Sequence, residues 1–420
     1  MAGVPKLVHA ADLHLDSPLV GLERYEGAPV GELRRATRGA LDRLVELCVS
    51  EDAELLLIAG DLFDGNWRDY STGLFLCERM ARLREAGVRV VWLRGNHDAA
   101  SRLRKHLRLP ENVRELSHAR PESVFFEELN LVVHGQGFPE QAVLEDLTRR
   151  YPAAVSGAVN VGLLHTALDG RPGHDPYAPC TVSALVDRGY DYWALGHVHA
   201  HEIVHRAPFI VYPGNLQGRQ LREAGPKGAV VVTFDSAKVT GVEHRALDVV
   251  RWAKVTVEVG AAATLDEVGD AVQRALVRES LAASERLLAA RVELVGPSAL
   301  HGTLKADPER VTQTVRAAAL DVDAGPVWIE RAVVRTRAER FDFDDGIGAA
   351  GPLGELGREI SALKADPAAL GAFLAELPAL AELFRKYRPA SGADAAAEPG
   401  ALLEDARELL LARLSELESG

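Results

Sequence analysis

Five short polar motifs in the first half of this 420-residue chain constrain its fold more than any other feature. Most of them end an apolar run of the kind that forms a buried strand, as in ELLLIAGDLFD, VVWLRGNHD and YWALGHVH. A polar side chain at the carboxyl end of a strand lies at the sheet edge where α/β proteins build their sites. We therefore expect carboxylate, amide and imidazole groups from five strand ends to converge, and such a set suits a pair of divalent metal ions.

The order and spelling of the motifs carry more information than any motif alone. In chain order they are Asp12-Leu13-His14, Gly60-Asp61-Leu62-Phe63-Asp64, Gly95-Asn96-His97-Asp98, His165 and Gly196-His197-Val198-His199. Together they resemble the calcineurin-like metallophosphoesterase superfamily, over residues 1 to about 245. The resemblance implies metal-assisted hydrolysis of a phosphoester.

The resemblance also implies a role for each metal ligand. Asp61 is expected to bridge two ions lying about 3.5–4 Å apart, since one carboxylate can give an oxygen to each. The other ligands form two groups: Asp12, His14 and His199 for one ion, and Asn96, His165 and His197 for the second. Mixed oxygen and imidazole ligands favour manganese, iron or zinc over calcium, and manganese is the usual metal of the family.

His97 is expected to face the substrate, because its neighbour Asn96 is the ligand. In the superfamily this histidine stabilises the phosphoryl transition state or protonates the leaving oxygen, as a general acid does. Asp64 resembles the residue that orients the histidine in related phosphatases, and Asp98 is the rival for that role. We therefore predict His97 and Asp64 as the catalytic pair.

The charge of the chain limits its mode of nucleic-acid binding. The formal net charge of -13 is unlike that of a nonspecific nucleic-acid binder. Basic residues nevertheless cluster after two of the motifs, and the candidates for DNA binding are Arg102, Arg104, Lys105, Arg108, Arg219 and Arg222. These clusters are either solvated faces of helices or loops, or a track for a phosphate backbone that leads to the metals.

The chain is predicted to have three parts. Residues 1–245 alternate strand-like and helical runs, which indicates a layered α/β sandwich of mixed sheets flanked by helices. Residues 250–337 are predicted to form a small α+β cap, and residues 352–420 a helical region suited to docking a partner.

No run is apolar enough to span a bilayer, no signal peptide precedes the first strand, and three widely spaced cysteines follow no ligand pattern. We expect a cytoplasmic protein without membrane contact, and the sequence leaves a homodimer open.

The appended segments bear on the substrate. HAADLHLDSP, the run VYPGNLQGRQLREAGPKG, and the cap and helices resemble the bacterial DNA-repair exonuclease branch, whose YhaO-type members are related to the nuclease subunit SbcD. That resemblance implies DNA as substrate and an SMC-like ATPase as partner. The ATPase would be a separate polypeptide, because this chain has no phosphate-binding loop of the G-x-x-x-x-G-K-[ST] type. Asp64 departs from the histidine that SbcD-type nucleases often carry, so processing of blocked DNA ends is in question.

Two other functions stay open at this stage. One is a small-molecule or nucleotide phosphodiesterase whose cap only gates the site, since one metal pair serves many substrates. The other is a scaffold with a vestigial metal site, against which the complete ligand set argues.

Overall fold

The computed structural model describes residues 4–19, 27–64, 70–100, 108–170 and 175–338, together with scattered positions between 358 and 373. Most of the predicted helical region 352–420 therefore lies outside the described residues. Within the described residues, no helix is long and apolar enough to cross a membrane.

Strands and helices alternate up to residue 100, and strands dominate from residue 113 to residue 258. The first strands and helices are β1 (Lys6–Ala10), α1 (Val30–Ser50), β2 (Leu55–Ala59), α2 (Tyr70–Glu85), β3 (Arg89–Leu93), α3 (Asn96–Ala100), β4 (Val113–Glu115), β5 (Glu122–Phe126), β6 (Leu131–Gly135) and β7 (Val159–His165). The rest are α4 (Val182–Val186), β8 (Tyr192–Gly196), β9 (Glu202–Arg206), β10 (Phe209–Tyr212), β11 (Gly228–Phe234), β12 (Val239–Ala246), β13 (Val250–Glu258), α5 (Leu265–Ala283), β14 (Leu287–Ser298), α6 (His301–Ala306), α7 (Pro308–Leu320) and β15 (Val327–Ala338).

Two six-stranded mixed sheets form the part of the chain up to Ala246. The first has the order β12-β11-β1-β2-β3-β4, and the second has the order β5-β6-β7-β8-β10-β9. Strands β1, β2 and β3 are mutually parallel, and so are β6, β7 and β8. The parallel strands occupy the middle of each sheet, so their carboxyl ends lie side by side.

The central strands of the first sheet, β1, β2, β3 and β11, bury both faces, which explains their nearly continuous apolar sequences. Along β2, Leu56 and Ile58 pack with residues of α1 such as Leu41 and Leu44. The alternate residues of β2, for example Leu57, pack in a second core with residues of the other sheet, including Val161 of β7 and Ala194 of β8. A third core covers the outer face of the second sheet and includes residues of β7, β8 and α4. The layers are therefore helix, sheet, sheet and helix, which confirms the predicted α/β sandwich.

A smaller sheet follows, with the order β13-β14-β15. The described chain divides into two compact units, and the first comprises residues up to Lys254 together with Glu279–Ala290 and Ala324–Glu330. The second comprises Val255–Arg278, Arg291–Asp323 and the described residues from Arg331 onward. The two returning segments join the first unit because Leu287, Ala289 and Trp328 pack with Val250 and Trp252 in one apolar cluster. The contiguous boundaries 1–245 and 250–337 stay predictions.

Candidate metal centre

All five motifs lie at the carboxyl ends of parallel strands. Asp12 and His14 follow β1, Asp61 follows β2, and Asn96 follows β3 in the first sheet. In the second sheet, His165 is the last residue of β7, and His197 and His199 follow β8. The first sheet thus supplies every oxygen ligand, and the second supplies only imidazoles.

One group of candidate ligands surrounds the end of β1. The ligand atoms of Asp12, His14 and His199 all lie within 4.8 Å of one another, and the Nε2 atoms of the two histidines are 3.3 Å apart. Asp61 Oδ2 lies 4.0 Å from His14 Nε2. These four side chains are the set that the sequence assigned to the first ion.

A second group lies at the ends of β2, β3 and β7. His165 Nε2 is 3.0 Å from Asn96 Oδ1 and 3.5 Å from Asp61 Oδ2. Asp12, Asp61 and His165 also form a cluster whose ligand atoms lie within 4.8 Å of one another. Asp61 therefore stands between the two groups, at the position expected of a bridging carboxylate. The ring of His197 lies beside that of His165, with centroids 5.1 Å apart.

Each histidine of the second sheet has one ring nitrogen held by an oxygen. Ala59 O lies 2.9 Å from His165 Nδ1, Asp175 O lies 2.9 Å from His197 Nε2, and Glu223 Oε1 lies 2.8 Å from His199 Nδ1. An oxygen acceptor fixes the proton on the nitrogen it contacts, which leaves the other nitrogen of the neutral ring as the metal ligand. These contacts leave Nε2 of His165 and His199, and Nδ1 of His197, as the nitrogens that could coordinate an ion.

The charges of the site fit divalent cations. Burial, followed by the negative charge of Asp61, raises the pKa of Asp12 well above its usual range. Burial likewise raises the pKa of Asp61 to about 6. Burial and the positive charge of Arg219 lower the pKa of His14, which favours the neutral ring that binds metals. Two divalent cations would stabilise the ionised forms of the buried carboxylates Asp12 and Asp61, so the donor set fits a dinuclear centre.

Four of the candidate ligands have a positive φ angle, a backbone conformation that is rare for residues other than glycine. Asp12, His14, Asp61 and His197 have φ angles of 51°, 43°, 51° and 98°, in the left-handed region that residues other than glycine seldom adopt. Gly95 precedes Asn96, and a Cβ atom at Gly95 would lie 2.2 Å from Asp61 Oδ1. Strain and close approach of this kind concentrate at functional sites. The glycine of the GNHD motif is explained by the space that the central carboxylate occupies.

His97 and Asp64 form a pair at the edge of the metal centre. Asp64 Oδ1 lies 2.8 Å from His97 Nδ1, and the His97 side chain is 37% exposed, so its other nitrogen can reach a substrate. Burial alone would lower the pKa of His97, but the hydrogen bond with Asp64 and the charge of Asp61 outweigh it and raise that pKa. Asp98, the other candidate for orienting His97, has a structural role instead. Its carboxylate accepts backbone N–H groups from Leu62, Phe63 and Gly95 and so connects the turn after β2 to the turn after β3.

Three residues outside the motifs complete the site. Glu223 is buried and contacts His199, Arg219 pairs with Glu223, and Ser17 donates a hydrogen bond to Asp64 Oδ2 at 2.5 Å. Burial would raise the pKa of Glu223, but the hydrogen bond with His199 and the charge of Arg219 lower it below the usual range. No strand-end signal marks these residues in the sequence, but all three lie in the runs HAADLHLDSP and VYPGNLQGRQLREAGPKG, which carry the resemblance to the exonuclease branch.

The six candidate DNA-binding residues have different outcomes. Arg108 and Arg222 are exposed, as a phosphate-binding role requires. Arg102, Arg104 and Lys105 lie outside the described residues. Arg219 does not lie on a surface track: its side chain is only 17% exposed, because it turns inward to pair with Glu223.

Comparison with known protein families agrees with the geometry. Residues 5–201 match the calcineurin-like phosphoesterase family, and residues 252–337 match the middle domain of the metallophosphoesterase YhaO. The chain therefore contains a calcineurin-like metallophosphoesterase domain followed by a YhaO-type middle domain, as the motifs predicted. Enzymes with this catalytic domain use a dinuclear metal centre, and the clusters around Asp61 supply candidate ligands for one.

Individual relatives include a metallophosphoesterase, a DNA-repair protein and a dimetal phosphatase. The chain is 37% identical over 256 residues to the uncharacterized metallophosphoesterase YhaO of Bacillus subtilis (strain 168), which covers 60% of this chain and 62% of YhaO. The DNA double-strand break repair protein Mre11 of Methanopyrus kandleri is 28% identical over 378 residues, covering 83% of this chain and 74% of Mre11. Among solved structures, a dimetal phosphatase from Danio rerio has a TM-score of 0.36 and 12% identity, covering 59% of this chain and 97% of its own, too distant to bear on function. The chain thus spans somewhat less than two thirds of the length of YhaO.

Proposed function

We propose that the protein is a manganese-dependent DNA exonuclease that acts in DNA repair together with a separate SMC-like ATPase. The observation that carries the chemistry is the convergence of Asp12, Asp61 and His165, with Asp61 between the two ligand groups. Asp61 would be the residue that two ions share, and ions held there would supply the Lewis acidity that hydrolysis of a phosphodiester needs. The proposal for DNA rests on the similarity to Mre11 and on the exposed Arg108 and Arg222.

The residues divide the work of hydrolysis. When bound, the ions would activate water and withdraw charge from the phosphate. His97, oriented by Asp64, would donate a proton to the leaving 3′ or 5′ oxygen, since the hydrogen bond with Asp64 raises the pKa of His97 and so favours the protonated ring. The backbone N–H of His97 donates a hydrogen bond to Asp61 Oδ1 at 2.9 Å, so the acid and the central carboxylate are held together.

The test compares two substrates in one assay. The purified chain is incubated with manganese and end-labelled DNA, and in parallel with bis-p-nitrophenyl phosphate. We expect manganese-dependent shortening of the DNA and turnover of the dye substrate, both lost in Asp61→Asn. Turnover of the dye substrate without DNA cleavage would contradict the nuclease and favour the small-molecule phosphodiesterase. Retention of both activities in Asp61→Asn would contradict the central role given to Asp61.

Residues 352–420 are proposed to bind the ATPase partner. Their sequence has amphipathic segments, and along the chain they are far from every candidate ligand. A chain truncated near Phe341 is expected to hydrolyse the dye substrate at the rate of the full chain. It is also expected to lose co-purification with the SMC-like ATPase that the full chain retains. Unfolding of the truncated chain, seen by circular dichroism, would assign residues 352–420 to the core and end the docking proposal.

A further inference from the structure

The side chain of Arg219 lies between two carboxylates at the edge of the metal centre. Its Nη2 atom donates to Glu223 Oε1 at 3.0 Å, and its backbone N–H donates to Glu223 Oε2 at 2.8 Å. On the other side, its Nη1 atom lies 3.7 Å from Asp64 Oδ2 and 3.4 Å from the Ser17 hydroxyl. One guanidinium therefore faces both acids.

Each of the two acids holds a histidine of the site. Glu223 contacts Nδ1 of His199, a candidate metal ligand, at 2.8 Å. Asp64 contacts Nδ1 of His97, the candidate general acid, at the same distance of 2.8 Å. The five side chains form a continuous polar chain in the order His199, Glu223, Arg219, Asp64 and His97.

We propose that Arg219 is a positioning residue that sets the geometry of the metal ligand His199 through Glu223 and of His97 through Asp64. This inference rests on the proposed dinuclear hydrolase and adds to it a residue that links its metal binding to its acid catalysis. Arg219 and Glu223 both follow residue 201, where the match to the phosphoesterase family ends. The link is thus supplied by the segment between the two matched domains.

The two carboxylates that Arg219 faces are poorly solvated and therefore need a positive charge beside them. The Glu223 side chain is 7% exposed and that of Asp64 is 20% exposed, so neither carboxylate is well solvated. A buried carboxylate without a cation is costly, and it changes its protonation or its position instead. Lysine could neutralise one acid, but only the planar fork of arginine presents donors on both sides at once. Asn215 strengthens the arrangement, because its Nδ2 donates to Glu223 Oε2 at 3.0 Å.

The first test measures metal binding without substrate. Manganese affinity is determined by titration calorimetry for the full wild-type chain, Arg219→Met, Arg219→Lys and the control Arg206→Met. Arg206 is an exposed arginine in β9, the edge strand of the second sheet, so its replacement makes the same change of charge away from the site. We expect Arg219→Met to weaken manganese binding about 10–100-fold, the usual effect of losing a partner of a metal ligand. Arg219→Lys is expected to recover part of that loss, and Arg206→Met to bind as wild type.

The sign of the effect distinguishes positioning from simple electrostatics. A positive charge beside two cations repels them, so an arginine without a positioning role would, when removed, leave manganese affinity unchanged or raise it. Either result would overturn the inference. Because binding is measured without turnover, the inference is tested even if wild type cleaves no diester, a failure that would count only against the proposed function.

The second test uses double variants to separate the two branches. If Arg219 acts on the metal through Glu223, Arg219→Met in the Glu223→Gln background is expected to weaken manganese binding less than about twofold further. If it acts on catalysis through Asp64, Arg219→Met at saturating manganese is expected to lower kcat in wild type but not in the His97→Ala background. Full additivity in both pairs, with all variants folded by circular dichroism, would show that Arg219 acts on neither histidine.

Discussion

The two sheets contribute to the metal centre in different ways. The first sheet supplies Asp12, Asp61 and Asn96, and its carboxylates accept backbone N–H groups, those of His197 and His97 respectively. The second sheet supplies imidazoles, each held by an oxygen on its second nitrogen. The first sheet therefore provides the negative charge together with the imidazole of His14, and the second provides only imidazole lone pairs. Because the N–H of His197 bonds to Asp12 and His165 bonds to Ala59 O, each sheet also fixes ligands of the other.

The largest effect on metal content and turnover is expected when the carboxylate between the two ligand groups, Asp61, loses its charge. Asp61→Asn keeps the shape of the side chain but removes the central negative charge, so we expect loss of both ions and of turnover to background. Metal analysis of the purified variant measures this. Asp52→Asn is the matched control, since Asp52 is an exposed aspartate with nearly the same backbone angle, φ 50° against 51°. Two ions per chain and near-normal hydrolysis in Asp61→Asn would remove Asp61 from the bridging role.

A ligand from the second sheet is expected to matter for one ion only. His165→Ala removes one directed lone pair and leaves the group at Asp12, His14 and His199 in place, so we expect one ion per chain and strongly reduced turnover. The control is His134→Ala in the neighbouring strand β6, because His134 is a buried histidine bonded to Ser123 and Asn160. Loss of both ions from His165→Ala would erase the distinction between shared and unshared ligands.

His97 lies at the edge of both ligand groups and is expected to affect rate without affecting metal. His97→Ala should retain two ions while the rate falls about 10²–10⁴-fold, the range for one acid–base group. Asp64→Asn added to His97→Ala should cost little more, since Asp64 would act through the missing ring. Loss of an ion in step with activity would instead make His97 a ligand, as the cluster of His14, Asp64 and His97 allows.

The smallest effect on chemistry is expected outside both ligand groups. Replacing Arg102, Arg104, Lys105 and Arg108 by alanine should weaken DNA binding alike for all sequences and lower the salt-dependence slope by about one unit per phosphate contact. Hydrolysis of bis-p-nitrophenyl phosphate should barely change, because that diester has no backbone to reach these residues. An unchanged DNA affinity and slope would make the cluster a solvated surface.

The sequence predicted the parts of the site that depend on strand ends. Apolar runs ending in Asp12, Asp61 and His165 indicated both the sandwich and the convergence of these side chains, because parallel strands bring their carboxyl ends to one edge. The inward turn of Arg219 could not be predicted, since a basic residue in a glycine-rich run looks solvated unless its partner Glu223 is known. The same limit applies to Leu287 and Trp328, whose return to the first unit depends on packing between segments far apart in the chain.

Selection for stability and selection for activity favour different residues at four positions with a left-handed backbone, Asp12, His14, Asp61 and His197. Each such residue costs on the order of 1 kcal/mol or more relative to a relaxed one, and glycine removes most of that cost. A directed-evolution screen that scored only thermal tolerance would therefore favour glycine at these positions and discard the ligands. Growth with ample metal would bring the opposing demand, because bound cations stabilise the folded chain only while the ligands remain.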